Sequence, residues 1–468
     1  MQFSQFQLFA IGTFGFQPSY LVLIIVYFLL IKKNLWDESS FSLPKTFFPL
    51  GLVLICITVG ISGLTPFMEG NNAHMTQFIK SSAHFLFVVT ISFLLMISDL
   101  KRNTFTIMIK TWLVIALLIN IFGIYQMFAR GFDLPFAWLE VTNVSYTVRG
   151  DIDPDDIKQL SLKYGNFFRA TSIFSEPSYY ASFNVFTLTF LIVPFIQRKK
   201  QFFSSVIFNV INFSLALVAA FLTFSLTAAL GLFMLMGALF IFEKKKQFIA
   251  VIPIFLASLV ILLFVDGIVE KYTTVSVAEL FKKRVEGLYY MTKGREHFTY
   301  GETVGTRSEN ARKSYEIWKE NPINGCGLGL TGYQKKYALG YSDFTVLAML
   351  AEQGIFGFIV FNLIFIALFY YTRKMLKNKD DPDIDEDKQV LFGMGFYILV
   401  HLFELNYITM NHSSNQMLWV PIGMLLGLLR IYYITYGKEM IVVNNFKISP
   451  RTSFKESLKS YIMSRQKI

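Results

Sequence analysis

Cysteine is almost absent from this chain, with two residues in 468. Cys56 lies inside an apolar run and Cys326 in a glycine-rich turn, so pairing is not expected and a disulfide framework is excluded. Histidine is nearly as scarce, at five residues. No grouping of His, Cys, Asp or Glu has metal-ligand spacing, so neither a structural zinc nor any other cofactor is expected. There is no Walker loop or dinucleotide fingerprint, hence no evident nucleotide site. Repeats of solenoid period and long low-complexity tracts are missing too. No basic segment with a small-residue cleavage site precedes the first apolar run, which should therefore stay in the membrane. The net charge of +11 sits in short clusters and not in a patch on a soluble fold, which argues against nucleic acid as a partner.

What the chain has is apolar surface. It is 54% hydrophobic, carries 51 Phe and has a mean hydropathy of +0.48. Apolar runs of about 18 residues or more recur along its length, the signature of membrane-spanning helices. The expected spans are 10–31, 46–64, 82–98, 106–128, 177–196, 203–221, 225–242, 248–265, 346–371, 390–409 and 414–434. The fold class is therefore all-α, a polytopic membrane protein of about 11 helices. Pro18 marks the weakest span and leaves residues 1–16 open to an interfacial or re-entrant piece.

Basic clusters separate these runs: Lys32/Lys33, Lys101/Arg102, Arg198 to Lys200, Lys244 to Lys246 and Arg373/Lys374. An amino terminus outside and a carboxyl terminus inside puts all of them on the cytoplasmic side. Residues 1–434 then form one membrane domain with large outer loops at 129–176 and 266–345, and 435–468 a basic cytoplasmic tail on anionic lipid. In the second loop, Ala278, Phe281, Val285 and Leu288 fall on one face of a helix suited to the membrane surface.

The stretch from Arg307 to Phe358 is the most informative. A helix is expected from near Thr306, a good N-cap residue, to just before Pro322. Arg307, Ala311, Tyr315 and Trp318 share one face of it, which should pack inward, while Arg312 and Lys319 point elsewhere. A guanidinium forks two hydrogen bonds onto phosphate oxygens and keeps its charge, so Arg307 suits a pyrophosphate. The plainer alternative is an ion pair with Glu309 or Glu302. Next comes the turn Gly325, Cys326, Gly327, Leu328, Gly329, whose backbone N–H groups can face an anion or merely reverse the chain.

Arg169, followed by Ser175, Glu176 and Pro177, ends the first outer loop. Pro177 suits a first helical position and Glu176 the positive end of a helix dipole. The functional alternative places Arg169 and Glu176 at the mouth of the cavity that holds Arg307. Asp343 opens a span as a cap or as a working acid. Glu352, about two turns further in, either pairs or works. His401 and Glu404, at i and i+3, suit a buried clasp between helices, and His412 falls in a short outer turn.

These elements together resemble the bacterial O-antigen polymerase and O-antigen ligase superfamily, favouring the polymerase branch. The resemblance rests on Arg307, Trp318, Pro322, Gly325, Gly327, Glu352, Gly354 and Gly357, on Arg169 through Pro177, and on the Ser/Thr-rich junction at residues 223–233. The family's junction usually holds an arginine where this chain has Leu226. The ligases carry a histidine where this chain has Asp343.

The resemblance implies a metal-independent glycosyltransferase in the bacterial inner membrane, with its site on the extracytoplasmic side. It would transfer a growing glycan from undecaprenyl pyrophosphate to a lipid-linked repeat unit, in O-antigen, capsule or exopolysaccharide synthesis. Arg307 and Arg169 would stabilise the leaving pyrophosphate, and Glu176, Asp343 or His412 would take the proton. Gly325, Gly327, Gly329, Tyr315, Trp318 and Glu352 would line the substrate site. Its partners would be the lipid-linked oligosaccharide and the bilayer, with a chain-length regulator and a flippase as companions. Ligase-type transfer to another acceptor is the nearest alternative. A transporter or flippase would show paired halves, which this chain lacks. The short basic tail leaves no room for the signalling domain of a sensor.

Overall fold

Uninterrupted apolar runs form helices because a backbone in lipid must satisfy its own hydrogen bonds. The computed structural model is accordingly a helical bundle. It describes residues 42–98, 100–139, 167–197, 201–243, 303–333, 345–377, 386–408 and 416–435, with short pieces at 9–11, 14–16, 23–29, 31–32, 163–164 and 440–442, Gln159, and scattered positions between 249 and 279.

Among the described residues the main helices, in chain order, are α1 (Phe47–Ser62), α2 (Leu64–Glu69), α3 (Asn72–Ile97), α4 (Arg102–Phe132), α5 (Pro177–Ile196), α6 (Val206–Leu222), α7 (Leu226–Phe242), α8 (Thr303–Glu320), α9 (Thr345–Lys377), α10 (Glu386–Tyr407) and α11 (Gln416–Thr435). Among the described residues three antiparallel strand pairs accompany them: Phe9–Ile11 with Phe14–Phe16, Ser42–Pro44 with Met440–Val442, and Lys163–Tyr164 with Phe167–Phe168. The second pair joins the segment before α1 to the segment after α11.

The all-α membrane class stands, while the described residues show fewer full-length spans than the expected 11 or so. Among the described residues five helices are long and apolar enough to cross a membrane: Phe47–Glu69, Asn72–Ile97, Asn103–Phe132, Pro177–Ile196 and Thr345–Met375. The expected first span gives way in part to the hairpin at residues 9–16. Helices α6 and α7 have 17 residues each. At ~1.5 Å rise per residue each is about 26 Å long, short of the ~30 Å hydrocarbon layer. Helix α10 begins with Glu386, Asp387 and Lys388 and carries His401 and Glu404, which dilute its apolar character. The span expected at 248–265 and the surface helix at 275–291 lie almost wholly outside the described residues.

Helix α5 is the centre of the bundle, with 89% of its apolar window buried against 33–44% for the other four spans. Trp112 of α4 packs on Phe183, Phe186 and Phe190 of α5 and donates from Nε1 to Thr187 Oγ1 at 3.0 Å. Apolar surface alone does not bind helices in lipid, so small residues and interhelical hydrogen bonds set the packing. Helices α3 and α11 run parallel. Ser92 donates to the Trp419 carbonyl, and Arg430 Nη1 donates to the Ser98 carbonyl at 3.0 Å. Gly423 and Gly427, at i and i+4, let the two backbones touch: a Cβ at Gly423 would lie 2.8 Å from Ser92 Cα. Gly423→Val should therefore push α11 off α3 and lower the thermal midpoint of the detergent-purified chain.

Candidate functional site

The glycine turn packs against the kinked start of α9. Gly354 has φ 67° and ψ −166°, a conformation essentially reserved for glycine. The kink exposes the carbonyls of Ala351 and Glu352, which accept from the N–H groups of Cys326 (2.9 Å) and Gly327 (3.0 Å). In return Ile355 N–H donates to the Pro322 carbonyl at 3.0 Å. The backbones meet so closely that a Cβ on Gly325 would lie 2.3 Å from the Glu352 carbonyl carbon. Thr65 Oγ1 donates to the Gly325 carbonyl at 2.7 Å, tying the turn to α2.

The Glu352 side chain is buried inside this arrangement. Thr331 Oγ1 donates to its Oε1 at 2.9 Å, and the N–H groups of Gly329 and Thr331 face the same carboxyl. The group cradled by the turn is thus the protein's own Glu352 carboxyl, and the N–H groups of Cys326, Gly327 and Gly329 already have partners. Cys326 is buried beside it. Burial, and secondarily the Glu352 charge, push its thiol well above the usual range, so it stays protonated and unreactive.

Helix α8 leads into the turn over Thr303–Glu320, close to the expected bounds. Its inward face differs from the expectation. Asn310, Ser314 and Ile317 are buried, whereas Tyr315 is 44% exposed. The aromatic stripe is therefore turned away from the core, and Ile317 with small Ser314 make the close contact. Tyr315 and Trp318 pack in a tilted pair with ring centres 5.3 Å apart, Lys319 Nζ lies 4.6 Å over the Tyr315 ring, and Trp318 Nε1 donates to the Pro322 carbonyl at 3.0 Å. Arg307 stands on the backbone one turn before Asn310 and Ala311. Glu309, one of its alternative partners, pairs instead with Lys313 at 2.8 Å, which holds the Glu309 carboxyl below its usual range.

A second constellation surrounds Arg169. Its Nε donates to the Thr223 carbonyl at 2.7 Å and its Nη2 to the Phe224 carbonyl at 3.5 Å. Ala170 N–H adds a bond to the Leu222 carbonyl at 3.0 Å. Arg169 thus closes the end of α6 at the Ser/Thr-rich junction, where Phe224 has φ 47° and Ser225 caps α7 through Thr227 N–H at 3.2 Å. Sequence reasoning names both Arg169 and the junction without seeing that they touch.

Reasoning from the sequence missed Arg130 entirely. This residue ends α4 only 6% exposed. Its Nη1 donates to the Arg169 carbonyl at 2.8 Å, its Nη2 to Thr171 Oγ1 at 2.7 Å and Gln159 Oε1 at 2.5 Å, and its Nε to the Ala137 carbonyl at 2.9 Å. The guanidinium also lies 4.3 Å from the Trp138 ring centre. The overlooked signal was an arginine in the last turn of a long apolar helix.

Glu176 is the N-cap residue of α5 with Pro177 at its first turn, and its Oε2 accepts from Ser178 Oγ at 3.2 Å. Antiparallel contacts bring these parts to one end of the bundle. Thr58 of α1 donates to Gln353 of α9 at 2.9 Å, Asn362 of α9 meets Tyr407 of α10 at 2.7 Å, and Ser182 of α5 meets His401 of α10 at 3.1 Å. Asp343 and His412 lie outside the described residues. His401 and Glu404 sit deeper, fully buried, with Nδ1 and Oε2 3.1 Å apart within α10, and His401 reaches α5 through Nε2 and Ser182.

The family model described as O-antigen ligase matches residues 211–362. Over that segment, which is under half of the chain, the protein is similar to the O-antigen ligase family. It covers most of α6, then α7, α8, the glycine turn and the kinked start of α9 with Glu352. No curated protein matches the chain.

Two substitutions test the turn. Gly354→Ala would place a Cβ 2.0 Å from the Ile323 carbonyl oxygen. It should cost at least about 1–3 kcal/mol, read as a lower unfolding midpoint. Glu352→Gln keeps an acceptor for Thr331 and should lower the midpoint less than Glu352→Ala; equal losses would show that the carboxyl does not hold the turn.

Proposed function

We propose that the chain is a membrane polymerase of lipid-linked oligosaccharide repeat units, acting at the outer face of the bacterial inner membrane. The family match across 211–362 carries this reading, because it spans the packed unit formed by α8, the turn and Glu352. The donor is a glycan on undecaprenyl pyrophosphate and the acceptor a lipid-linked repeat unit, for O-antigen, capsule or exopolysaccharide. A hydroxyl oxygen of the acceptor sugar bonds to the anomeric carbon of the donor, the bond from that carbon to the pyrophosphate oxygen breaks, and the lipid pyrophosphate leaves with inversion at carbon.

Arg307 and Arg169 stabilise the charge gathering on the pyrophosphate, so the step requires no metal. Glu176, Asp343 and His412 are the candidates for the base that takes the hydroxyl proton. Glu352, with Gly325, Gly327 and Gly329, has the supporting role of fixing the path from α8 into α9. Tyr315 and Trp318 offer an aromatic face to the lipid-linked sugar. Ligase-type transfer uses the same chemistry on another acceptor, and Asp343 in place of the ligases' histidine supports the polymerase. A flippase and a chain-length regulator are the companions such an enzyme requires.

A deletion strain should make single-repeat glycan and no long polymer on a gel, with the wild-type gene restoring length. Long polymer from the deletion strain would overturn the reading. Arg307→Ala should lose on the order of 10²–10³-fold in polymerisation rate, the loss typical when one donor to a developing oxyanion is removed. Its level in the membrane should be unchanged, and long polymer from this variant would remove Arg307 from the reaction. Arg307→Lys should remain poor, because a point charge lacks the guanidinium fork.

A further inference from the structure

We infer that Arg130 is a positioning residue that presents Arg169 to the reaction; the inference rests on the reading of Arg169 given above. The Arg130 fork reaches two separate stretches at once. It holds the chain after α4 through the Ala137 carbonyl, and the chain before α5 through the Arg169 carbonyl and the Thr171 hydroxyl. Gln159 extends the same grip: its Oε1 accepts from Arg130, and its Nε2 donates to the Ser172 and Phe174 carbonyls at 2.6 and 2.8 Å. Ser172 adopts φ 51°, a left-handed conformation that a serine keeps only when its surroundings impose it. The segment from Arg169 to Phe174 is thus fixed by side chains reaching in from elsewhere and not by a helix or sheet of its own.

The partners of Arg130 are also informative chemically. Among the described residues they are carbonyls, an amide, a hydroxyl and an aromatic ring, with no carboxylate. A plain structural tie between two loops does not require a charged group. The guanidinium lies directly behind the Arg169 backbone, with Nη1 2.8 Å from the Arg169 carbonyl. Lysine can keep that charge but cannot span acceptors on both stretches.

The test uses the full chain in detergent for hydrogen–deuterium exchange and the complemented deletion strain for glycan length. Arg130→Met should speed exchange across 169–176 while leaving α8 protected. It should also reduce polymerisation by about a hundredfold, the scale set by misplacing a group near the reacting atoms. Added to Arg169→Ala, the same change should cause little further loss, because a positioning residue has nothing left to position. Arg130→Lys should restore part of the activity lost in Arg130→Met. Unchanged exchange at 169–176, wild-type polymer from folded Arg130→Met, or losses that simply add in the double variant would each overturn the inference. Failure of the polymerase reading is separately visible, as long polymer from the deletion strain itself, and the exchange result still decides whether Arg130 holds the segment.

Discussion

The buried carboxyl of Glu352 is the constraint on which this end of the molecule depends. It sits two turns into a helix in surroundings poor in water, where an unpartnered carboxyl is costly. The Thr331 hydroxyl and the N–H groups of Gly329 and Thr331 meet it. Those donors are available only if the chain reverses tightly after α8, and that reversal requires glycine where the turn touches the α9 backbone. The kink at Gly354 completes the exchange by freeing the carbonyls of Ala351 and Glu352 for the turn. Turn, kink and carboxyl therefore specify one another, and together they fix where α8 leaves the bundle.

A comparable logic operates across the bundle around Arg130 and Arg169. Two described irregular segments, 133–139 after α4 and 169–176 before α5, belong to no strand pair. Side-chain donors fix them instead: the Arg130 fork, the Gln159 amide and the Ser172 hydroxyl, which donates to the Ile119 carbonyl at 2.7 Å. Arg169 then carries the constraint to the α6–α7 junction by closing on the carbonyls of Thr223 and Phe224. Helices too short to define their own ends are thereby positioned by a residue from a distant part of the sequence.

Helix positions were readable from the chain because apolar runs, Pro177 at a first turn and Pro322 after a last turn act locally. Span ends were less so among the described residues, since residues 9–16 pair as a hairpin and a left-handed Phe224 separates α6 from α7. The inward face of α8 was misjudged for a physical reason. Periodicity finds the aromatic stripe, but Ile317 and Ser314 fit the core while Tyr315 packs on Trp318 and Lys319. Glu352 was recognisable as a carboxyl that must pair or work, yet its partner Thr331 is supplied by tertiary structure. Arg130 escaped notice because its meaning lies in acceptors that only the fold brings together.

The two arrangements differ in what they do with charge, and that difference bears on the proposed chemistry. At the turn, an acidic group is surrounded by donors and its field is absorbed locally. Around Arg130, the acceptors among the described residues are carbonyls, an amide and a hydroxyl, which orient the guanidinium. In a medium of low dielectric a charge acts over a longer distance than it would in water. A site of this kind favours any step in which negative charge accumulates nearby, as it does on a departing pyrophosphate, and it does so without reorganising during the reaction. The same reasoning explains why the supporting acid and the supporting base are not exchangeable: a carboxyl facing the substrate would oppose the developing charge that a buried guanidinium supports.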